Sequence, residues 1–231
     1  HFITSYLPSI GIDILPFRPG EERSNLAQKI KNSGKANKLS MIFVETPANP
    51  TNALIDIAAC KKIATEFSSD KEVVVAADNT YMGPLWQHPL AHGADISLYS
   101  ATKYIGGHSD LIAGAVCANK ALIHRIKVQR TFLGNMLSPF TAWLMLRSLE
   151  TLKIRMECAA ENAKKVNEFL QNHEKIERTY FLGNLTSHDK EYEVFQKQYS
   201  STGAMIAFDI KGGEKEAFNF LNKLQLIKLA V

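Results

Sequence analysis

The stretch EVVVAADN, at residues 72–79, decides the fold class of this chain. Its apolar residues follow one another without alternation and are rich in β-branched valine, which is typical of a strand buried on both faces of a parallel sheet. Similar runs lie on either side, SMIFVET at residues 40–46 and DISLYSAT at residues 95–102. Between the first two, LIDIAACKKIATEF carries apolar residues at helical spacing. The order of strand, helix and strand predicts an α/β sheet with right-handed crossovers.

The composition is that of an ordinary globular protein, since the 231 residues are 45% hydrophobic and 22% charged, with a formal net charge of +4. The basic residues are scattered, with no Lys/Arg block longer than a pair, so we expect no nucleic-acid or membrane-surface partner. Three widely spaced cysteines form neither a disulfide framework nor a C-x-x-C metal site, which favours reduced thiols in the cytoplasm. Because the chain opens at His1 without a methionine, we expect it to be part of a longer protein.

The remaining pattern predicts three parts: a large domain at residues 1–137, a connecting helix at 138–172 and a partial small domain at 173–231. LIAGAVCA is predicted as a fourth strand and KALIHRIKVQRTF as a helix after it. Ser138 and Pro139 are typical of a helix start, and apolar residues then recur at helical spacing to about Leu170, which predicts one long helix. In the last part, GAMIAFDI and LIKLAV are predicted strands on either side of a helix at EKEAFNFLNKL.

Chemically distinctive side chains follow each of the three predicted strands. Because ligands of an open α/β sheet bind at the carboxyl ends of its strands, we expect these side chains to share one crevice. They are Glu45 and Asn49 after the first strand, Asp78 and Asn79 after the second, and Ser100, Thr102 and Lys103 after the third.

This set suits pyridoxal phosphate. The amine of Lys103 can form a Schiff base with the cofactor aldehyde, and the carboxylate of Asp78 can keep the ring nitrogen protonated. The hydroxyls of Ser100 and Thr102 can hold the phosphate together with backbone N–H groups. Asn49 can hydrogen-bond the ring hydroxyl or the substrate carboxylate.

Taken one at a time, the same residues have ordinary alternatives. Asp78 can cap the turn that follows it, and Asn49 with Pro50 can form only a turn. The hydroxyls of Ser100 and Thr102 can satisfy nearby backbone groups, and a lysine at a strand end is usually a solvated charge. Their joint placement at successive strand ends favours the cofactor site.

Three spaced motifs resemble the Cys/Met-metabolism family of pyridoxal-phosphate-dependent enzymes, which includes cystathionine γ-synthase, the cystathionine lyases and methionine γ-lyase. They are ETPANPTNALIDI, ADNTYMGPLWQHPLAHGADISLYSATKYIGGHSDLIAGAV and SPFTAWLMLRSLETLKIRM. The resemblance implies an aspartate-aminotransferase-like (type I) fold, with a mostly parallel sheet flanked by helices and a small C-terminal α/β domain.

Matched residue by residue, the resemblance implies Lys103 as the Schiff-base lysine, Asp78 as the partner of the ring nitrogen, and Ser100 and Thr102 as phosphate ligands. It places Asn49 near the ring hydroxyl and the substrate carboxylate, with Glu45 as a weaker candidate for substrate binding. Thr80 and Tyr81 are interpreted as structural. The family's phosphate loop and ring-stacking tyrosine would precede this chain, and its arginine for the substrate carboxylate would follow it.

The resemblance also implies a carbon-sulfur lyase that acts on methionine or cystathionine by γ-elimination, in a homo-oligomer, a dimer of dimers, whose active site is shared between subunits. Several alternatives remain open from the sequence. A cystathionine γ-synthase-type replacement on an O-acylated homoserine uses the same residues, and an inactive scaffold would keep the fold. SATK also matches the S-x-x-K motif of penicillin-recognising hydrolases, which must open a helix. A metal site at His88, His92 and His108 lacks a completing ligand cluster, so we expect none.

Overall fold

The computed structural model describes residues 2–69 and 71–227, which form two sheets with helices around them. The strands are β1 (Met41–Glu45), β2 (Val74–Asp78), β3 (Ile96–Ser100), β4 (Gly114–Ala118), β5 (Ile176–Tyr180) and β6 (Ala207–Ile210). The helices are α1 (Leu7–Ser9), α2 (Arg23–Asn32), α3 (Ile57–Phe67), α4 (Gly83–Trp86), α5 (Lys120–Leu133), α6 (Pro139–Leu149), α7 (Leu152–Gln171), α8 (Tyr192–Gln198) and α9 (Glu214–Lys223).

The larger sheet has the strand order β1-β2-β3-β4. The pairs β1 with β2 and β2 with β3 are parallel, which confirms the three predicted strands, while β4 returns antiparallel to β3. Glu45 lies beside Asp78, and Asp78 lies beside Leu98. The three parallel strands therefore end at the same edge of the sheet, with Asp78 in the middle.

The crossover from β1 to β2 packs one face of the sheet. Helix α3 begins where the Asp56 carboxylate accepts a hydrogen bond from the backbone N–H of Ala59 at 2.9 Å. Its buried side chains pack against alternate residues of β1 and the centre of β2, forming a core that includes Ile57, Cys60, Ile63, Ala64, Ile42, Val44 and Val75. Burial raises the pKa of the Cys60 thiol to about 12, so this cysteine acts as a packing residue.

Burial on both faces was predicted for all three parallel strands, and this is wrong for β1. Ile42 and Val44 are buried, but Met41 and Phe43 alternate with them and are 47% and 37% exposed. Helix α3 covers only one face of this strand, whereas Val75, Ala76 and Ala77 of β2, an inner strand of the sheet, are all buried. The apolar run does not distinguish an edge strand from a central one.

The predicted long helix is two helices. The helix start is confirmed, because the Ser138 hydroxyl accepts a hydrogen bond from the backbone N–H of Thr141 at 3.1 Å. However, α6 ends at Leu149 and α7 begins at Leu152, with a non-helical backbone at Thr151 (φ −107°, ψ 4°). At the break, the carbonyl of Ser148 accepts a hydrogen bond from the Arg155 guanidinium at 2.9 Å. The apolar spacing continues across the break, which is why it predicts a single helix.

A second, smaller sheet pairs β5 antiparallel with β6. GAMIAFDI contains β6, but β5 was not predicted because its sequence, IERTY, is mostly polar. A second core joins α7 to the segments that follow β1 and β2, and it contains Leu54, Met82, Trp86, Leu152, Met156, Ala160, Leu182 and Tyr199. Residues 228–231 of the strand predicted at LIKLAV lie outside the described residues. The domain limits at 137 and 172 stay predictions, and no described helix is long and apolar enough to cross a membrane.

Candidate active site

A short chain of hydrogen bonds links the end of β2 to the end of β3. Oδ1 of Asp78 accepts hydrogen bonds from the backbone N–H of Thr80 at 2.9 Å and from its hydroxyl at 2.6 Å. The same Thr80 hydroxyl accepts a hydrogen bond from the backbone N–H of Ser100 at 2.8 Å. Asp78 is thus held in one orientation, and its position is fixed relative to the residue from which the Lys103 turn departs. Oδ2 of Asp78 accepts no hydrogen bond from the residues described.

A tight turn beyond β3 carries Lys103. The backbone N–H of Lys103 donates to the carbonyl of Ser100 at 3.0 Å, and its own carbonyl accepts from the N–H of Gly107 at 2.7 Å. The N–H of Gly106 donates to the carbonyl of Ala101 at 2.7 Å. Residues 101–106 are turns, not the start of a helix, and the Lys103 residue is exposed at the sheet edge. The S-x-x-K alternative requires a helix here and is not supported.

The two predicted phosphate ligands differ in their surroundings. The Thr102 hydroxyl accepts a hydrogen bond from the backbone N–H of Ala113 at 3.0 Å, which is the ordinary alternative considered for it. The Ser100 hydroxyl makes no hydrogen bond to any of the residues that the structure describes. Ser100 is therefore the better placed of the two to bind an anion, while Thr102 also ties the turn to the segment before β4.

The turn after β1 brings Asn49 to the same edge. Oε1 of Glu45 accepts a hydrogen bond from the backbone N–H of Asn49 at 3.2 Å, and a bridge between Ala48 and Ala53 closes the turn. Burial raises the pKa of Glu45; the hydrogen bond from Asn49 opposes that shift, and the negative charge of Asp78 adds to it. Glu45 thus shapes the turn that presents Asn49, whose side chain is exposed.

A wall of aromatic side chains lies beside these groups. Tyr104, directly after Lys103, packs edge to face on Trp86 with ring centroids 5.8 Å apart. Burial raises the pKa of Tyr104 to about 12, and the neighbouring Tyr81 adds to that shift. Burial also raises the pKa of Tyr81, with a further contribution from Glu45. The polar groups at the sheet edge therefore border an apolar surface that lowers the local dielectric.

The whole chain, residues 1–231, matches the family model described as Cys/Met metabolism PLP-dependent enzyme. This chain belongs to that family. It is 42% identical over 212 residues to an L-methionine gamma-lyase of Fusobacterium nucleatum subsp. polymorphum, covering 91% of this chain and 52% of the relative. It is 38% identical over 203 residues to the cystathionine gamma-lyase of Sus scrofa, covering 87% of this chain and 49% of the relative.

Among solved structures, the chain is similar to a cystathionine gamma-lyase from Lactobacillus plantarum complexed with L-serine, with a TM-score of 0.88 and 31% identity. The match covers 100% of this chain and 57% of that one. It confirms the type I, aspartate-aminotransferase-like fold with a mostly parallel sheet flanked by helices. The chain spans about half the length of the curated relatives it matches.

The residues at the sheet edge fit the cofactor of the Cys/Met-metabolism family. A protonated ring nitrogen needs a fixed carboxylate oxygen that can accept a hydrogen bond from its N–H, and Asp78 offers Oδ2 while Thr80 donates to Oδ1. A phosphate needs a hydroxyl that is not already donating, and Ser100 offers one. Lys103 supplies the primary amine on the adjoining turn. Among the described residues no group of three His, Cys, Asp or Glu side chains is placed to hold a metal ion.

Two residues organise this site in ways that the sequence does not predict. Thr80 was interpreted as structural, and its hydroxyl is the specific bridge between Asp78 and Ser100. Asn52 was not considered, although its backbone is left-handed (φ 57°) and its side-chain amide donates to the carbonyls of Tyr180 and Met205 at 3.0 and 2.9 Å. The preference of asparagine for left-handed backbone was the available signal for Asn52. No local signal separates a bridging threonine from a capping one.

Proposed function

We propose that this protein is a pyridoxal-phosphate-dependent carbon-sulfur lyase that acts on a sulfur amino acid, methionine or cystathionine, by γ-elimination. The observation that carries the proposal is the hydrogen-bonded chain Asp78–Thr80–Ser100, which joins a fixed carboxylate to the base of the Lys103 turn. Membership in the Cys/Met-metabolism family and the lyase names of the relatives support it.

The cofactor would be held by Asp78 at the ring nitrogen, by Ser100 with Thr102 at the phosphate, and by Lys103 and Asn49 near the reacting end. Pyridoxal phosphate, when bound, supplies an aldehyde that takes up amines and a protonated ring that withdraws electrons from an adjacent carbanion. The negative charge of Asp78 favours the protonated ring nitrogen. Thr80 keeps that charge in place, so that no reorientation is needed during the reaction.

Lys103 is the proposed base. The neutral Lys103 amine would accept the proton of the substrate α-carbon. After passing that proton on, it would take a proton from the β-carbon, whose electron pair forms a double bond to the γ-carbon as the γ-carbon–sulfur bond breaks; the sulfur leaves with the electron pair of that bond and is protonated to a thiol. Asn49 would bind the substrate carboxylate, and Glu45 supports the turn that carries Asn49.

Replacement of Lys103 tests the proposal directly. In the protein at its natural length, Lys103→Ala should lose the visible absorbance of the lysine-bound cofactor and all turnover, because no other primary amine is placed at this turn. Lys120→Ala, which alters an exposed lysine at the start of α5, is the matched control and should behave as wild type. An active Lys103→Ala enzyme would overturn the assignment.

The substrate is tested by product analysis. We expect methionine or cystathionine to yield an oxo acid, ammonia and a released thiol. If an O-acylated homoserine with cysteine instead yields a new thioether and no oxo acid, the protein is a cystathionine γ-synthase-type transferase. A protein that takes up no cofactor would be an inactive scaffold.

We also propose a homo-oligomer, a dimer of dimers, in the cytoplasm. Exposed apolar side chains on α5, α6 and the segment between them support self-association; they are Phe132, Leu133, Met136, Phe140, Trp143 and Leu146. The three cysteines are free thiols, in keeping with a reducing compartment. Light scattering on the protein at its natural length gives the subunit number, and a monomer would contradict the proposed assembly.

A further inference from the structure

One arginine of α7 reaches across to the turn that carries Lys103. Nη1 of Arg155 donates to the carbonyl of Tyr104 at 2.8 Å, Nη2 donates to the carbonyl of Ser148 at 2.9 Å, and Nε donates to the hydroxyl of Thr151 at 3.1 Å. The guanidinium thus connects the residue directly after Lys103 with the end of α6 and the start of α7.

The partners of Arg155 distinguish it from an ordinary surface arginine. Among the residues described it forms no ion pair, and the acceptors of its three nitrogens are two backbone carbonyls and one hydroxyl. Burial lowers the pKa of Arg155, in keeping with a guanidinium partly withdrawn from water. The planar guanidinium spreads its donors over three nitrogens in a fixed fork, whereas the three donors of a lysine ammonium all belong to one nitrogen on a flexible stem.

Gly107 shows how closely the guanidinium approaches the turn. A Cβ atom at Gly107 would collide with Nη1 and Cζ of Arg155. The backbone of Gly107 is also left-handed, with φ of +72°. Its N–H closes the turn on the carbonyl of Lys103 at 2.7 Å. The turn therefore lies against the arginine at Gly107, where an added side chain would meet the guanidinium.

We propose that Arg155 is a positioning residue that holds the Lys103 turn in the geometry the amine needs. The part that concerns Lys103 chemistry rests on the proposed function, but the hold on the turn does not. The consequence is mechanical: the Tyr104 carbonyl belongs to the residue after Lys103, so holding it limits the movement of the turn from which the lysine side chain leaves the backbone. The break between α6 and α7 contributes to this arrangement, because the Ser148 carbonyl at the break accepts a hydrogen bond from Nη2 of Arg155.

Hydrogen exchange of the protein without cofactor tests the hold on the turn. In Arg155→Lys, the amides of Gly106 and Gly107 should exchange at least about tenfold faster than in wild type, while the amides at the centre of β2 keep their rates. Arg147→Lys is the matched control, because Arg147 is exposed on the preceding helix, α6, and lies over the Trp143 ring at 5.7 Å. Unchanged exchange at Gly106 and Gly107 in Arg155→Lys would overturn the proposal.

A glycine pair gives a second, independent measurement. Gly107→Ala and Gly134→Ala place alanine at nearly the same backbone angle, φ +72° and +73°, but only Gly107 faces Arg155, and Gly134 has open space. Gly107→Ala should speed exchange of the turn more than Gly134→Ala speeds its own surroundings. In an Arg155→Ala background this excess should vanish, because the collision is gone. Full additivity of Gly107→Ala and Arg155→Ala would contradict the contact.

Capture of the cofactor separates this inference from the proposed function. Pyridoxal phosphate is added to the protein at its natural length, the product is reduced with borohydride, and the labelled peptide is identified by mass. Arg155→Lys should label Lys103 at least about tenfold more slowly than Arg147→Lys. Equal labelling rates would restrict Arg155 to a structural role and overturn the positioning role. If wild type itself is not labelled at Lys103, the proposed function fails, while hydrogen exchange still decides the hold on the turn.

Discussion

Two connections leave the same edge of the sheet and carry the proposed site, but they are stabilised in different ways. The loop after β1, residues 46–56, is held by side chains from the C-terminal part of the chain. Thr46 shares a 2.6 Å hydrogen bond with the Tyr199 hydroxyl, and Gln198 bonds the N–H of Ile57 at 2.7 Å and the carbonyl of Ile55 at 3.1 Å. The turn after β3, residues 101–107, is closed by its own backbone and by Arg155.

The two halves of the site therefore depend on different contacts. The turn with Lys103 is closed mainly by backbone hydrogen bonds between residues three to five positions apart, with further contacts to Ala113 and Arg155. The loop with Asn49 acquires its hydrogen-bond partners from residues 128 to 153 positions away, including both acceptors of Asn52. Docking of the C-terminal part is therefore required for the substrate side of the site, and less so for the lysine side.

The largest expected effect is on the loop side, at Gln198. Gln198→Ala should lower the free energy of unfolding by about 3 kcal/mol, because the buried N–H of Ile57 and the carbonyl of Ile55 would each lose a partner. Chemical denaturation measures the change. Gln196→Ala, an exposed position on the same helix, should change stability by less than about 0.5 kcal/mol.

The same variant shows whether the two connections are independent. In Gln198→Ala, amide exchange should increase in residues 46–56 while Gly106 and Gly107 keep their protection. Equal loss of protection in both connections would mean that they form one cooperative unit, and the distinction drawn between them would be wrong.

A smaller effect is expected at Thr80, which joins the middle strand to the lysine side. Thr80→Val keeps the shape but removes the bond to Asp78 and leaves the Ser100 N–H without its acceptor, so it should cost about 2 kcal/mol. Thr80→Ser should restore most of this loss. Cofactor absorbance gives a readout specific to the site, because Asp78 would no longer be held against the ring nitrogen.

If Thr80→Val and Thr80→Ser are equally stable and bind cofactor alike, the hydrogen bonds of the Thr80 hydroxyl contribute neither to stability nor to cofactor binding. Asp78 would then depend on its backbone bond from Thr80 alone.

The features that the sequence predicts are local, and the features that it does not predict are contacts between distant segments. Unbroken apolar runs identify β2 and β3, and the rule that ligands gather at strand ends places Asp78 and Lys103 together. The burial of β1 on one face only, the break at Thr151 and the β5 strand depend on neighbours that apolar spacing does not encode. Likewise, nothing near Arg155 or Asn52 in sequence reveals that their partners are the Tyr104 and Met205 carbonyls.

Titration of one buried and one partly buried tyrosine compares the two connections without disturbing their packing at neutral pH. Burial raises the pKa of Tyr199, on the loop side, and of Tyr104, on the turn side, to about 12. Below pH 10 both folded and unfolded chains keep these protons, so the contribution to stability is complete. As the pH rises from about 10 towards 12, the unfolded chain ionises first and stability falls, by at most about 1.4 kcal/mol per pH unit for each tyrosine.

Phenylalanine variants show how much of the fall in stability above pH 10 comes from Tyr199 on the loop and how much from Tyr104 on the turn. Tyr199→Phe should remove the part of the stability loss above pH 10 that is due to Tyr199. It should also lower stability at every pH, because the hydrogen bond to Thr46 is lost. Tyr104→Phe should remove the other share with little loss at pH 7, because no hydrogen bond of its hydroxyl to a described residue is broken. Denaturation curves collected between pH 8 and 11 separate a change in slope from a constant offset. A decline that survives in the double variant would show that other groups titrate, and the two tyrosines could then not report on the loop and the turn.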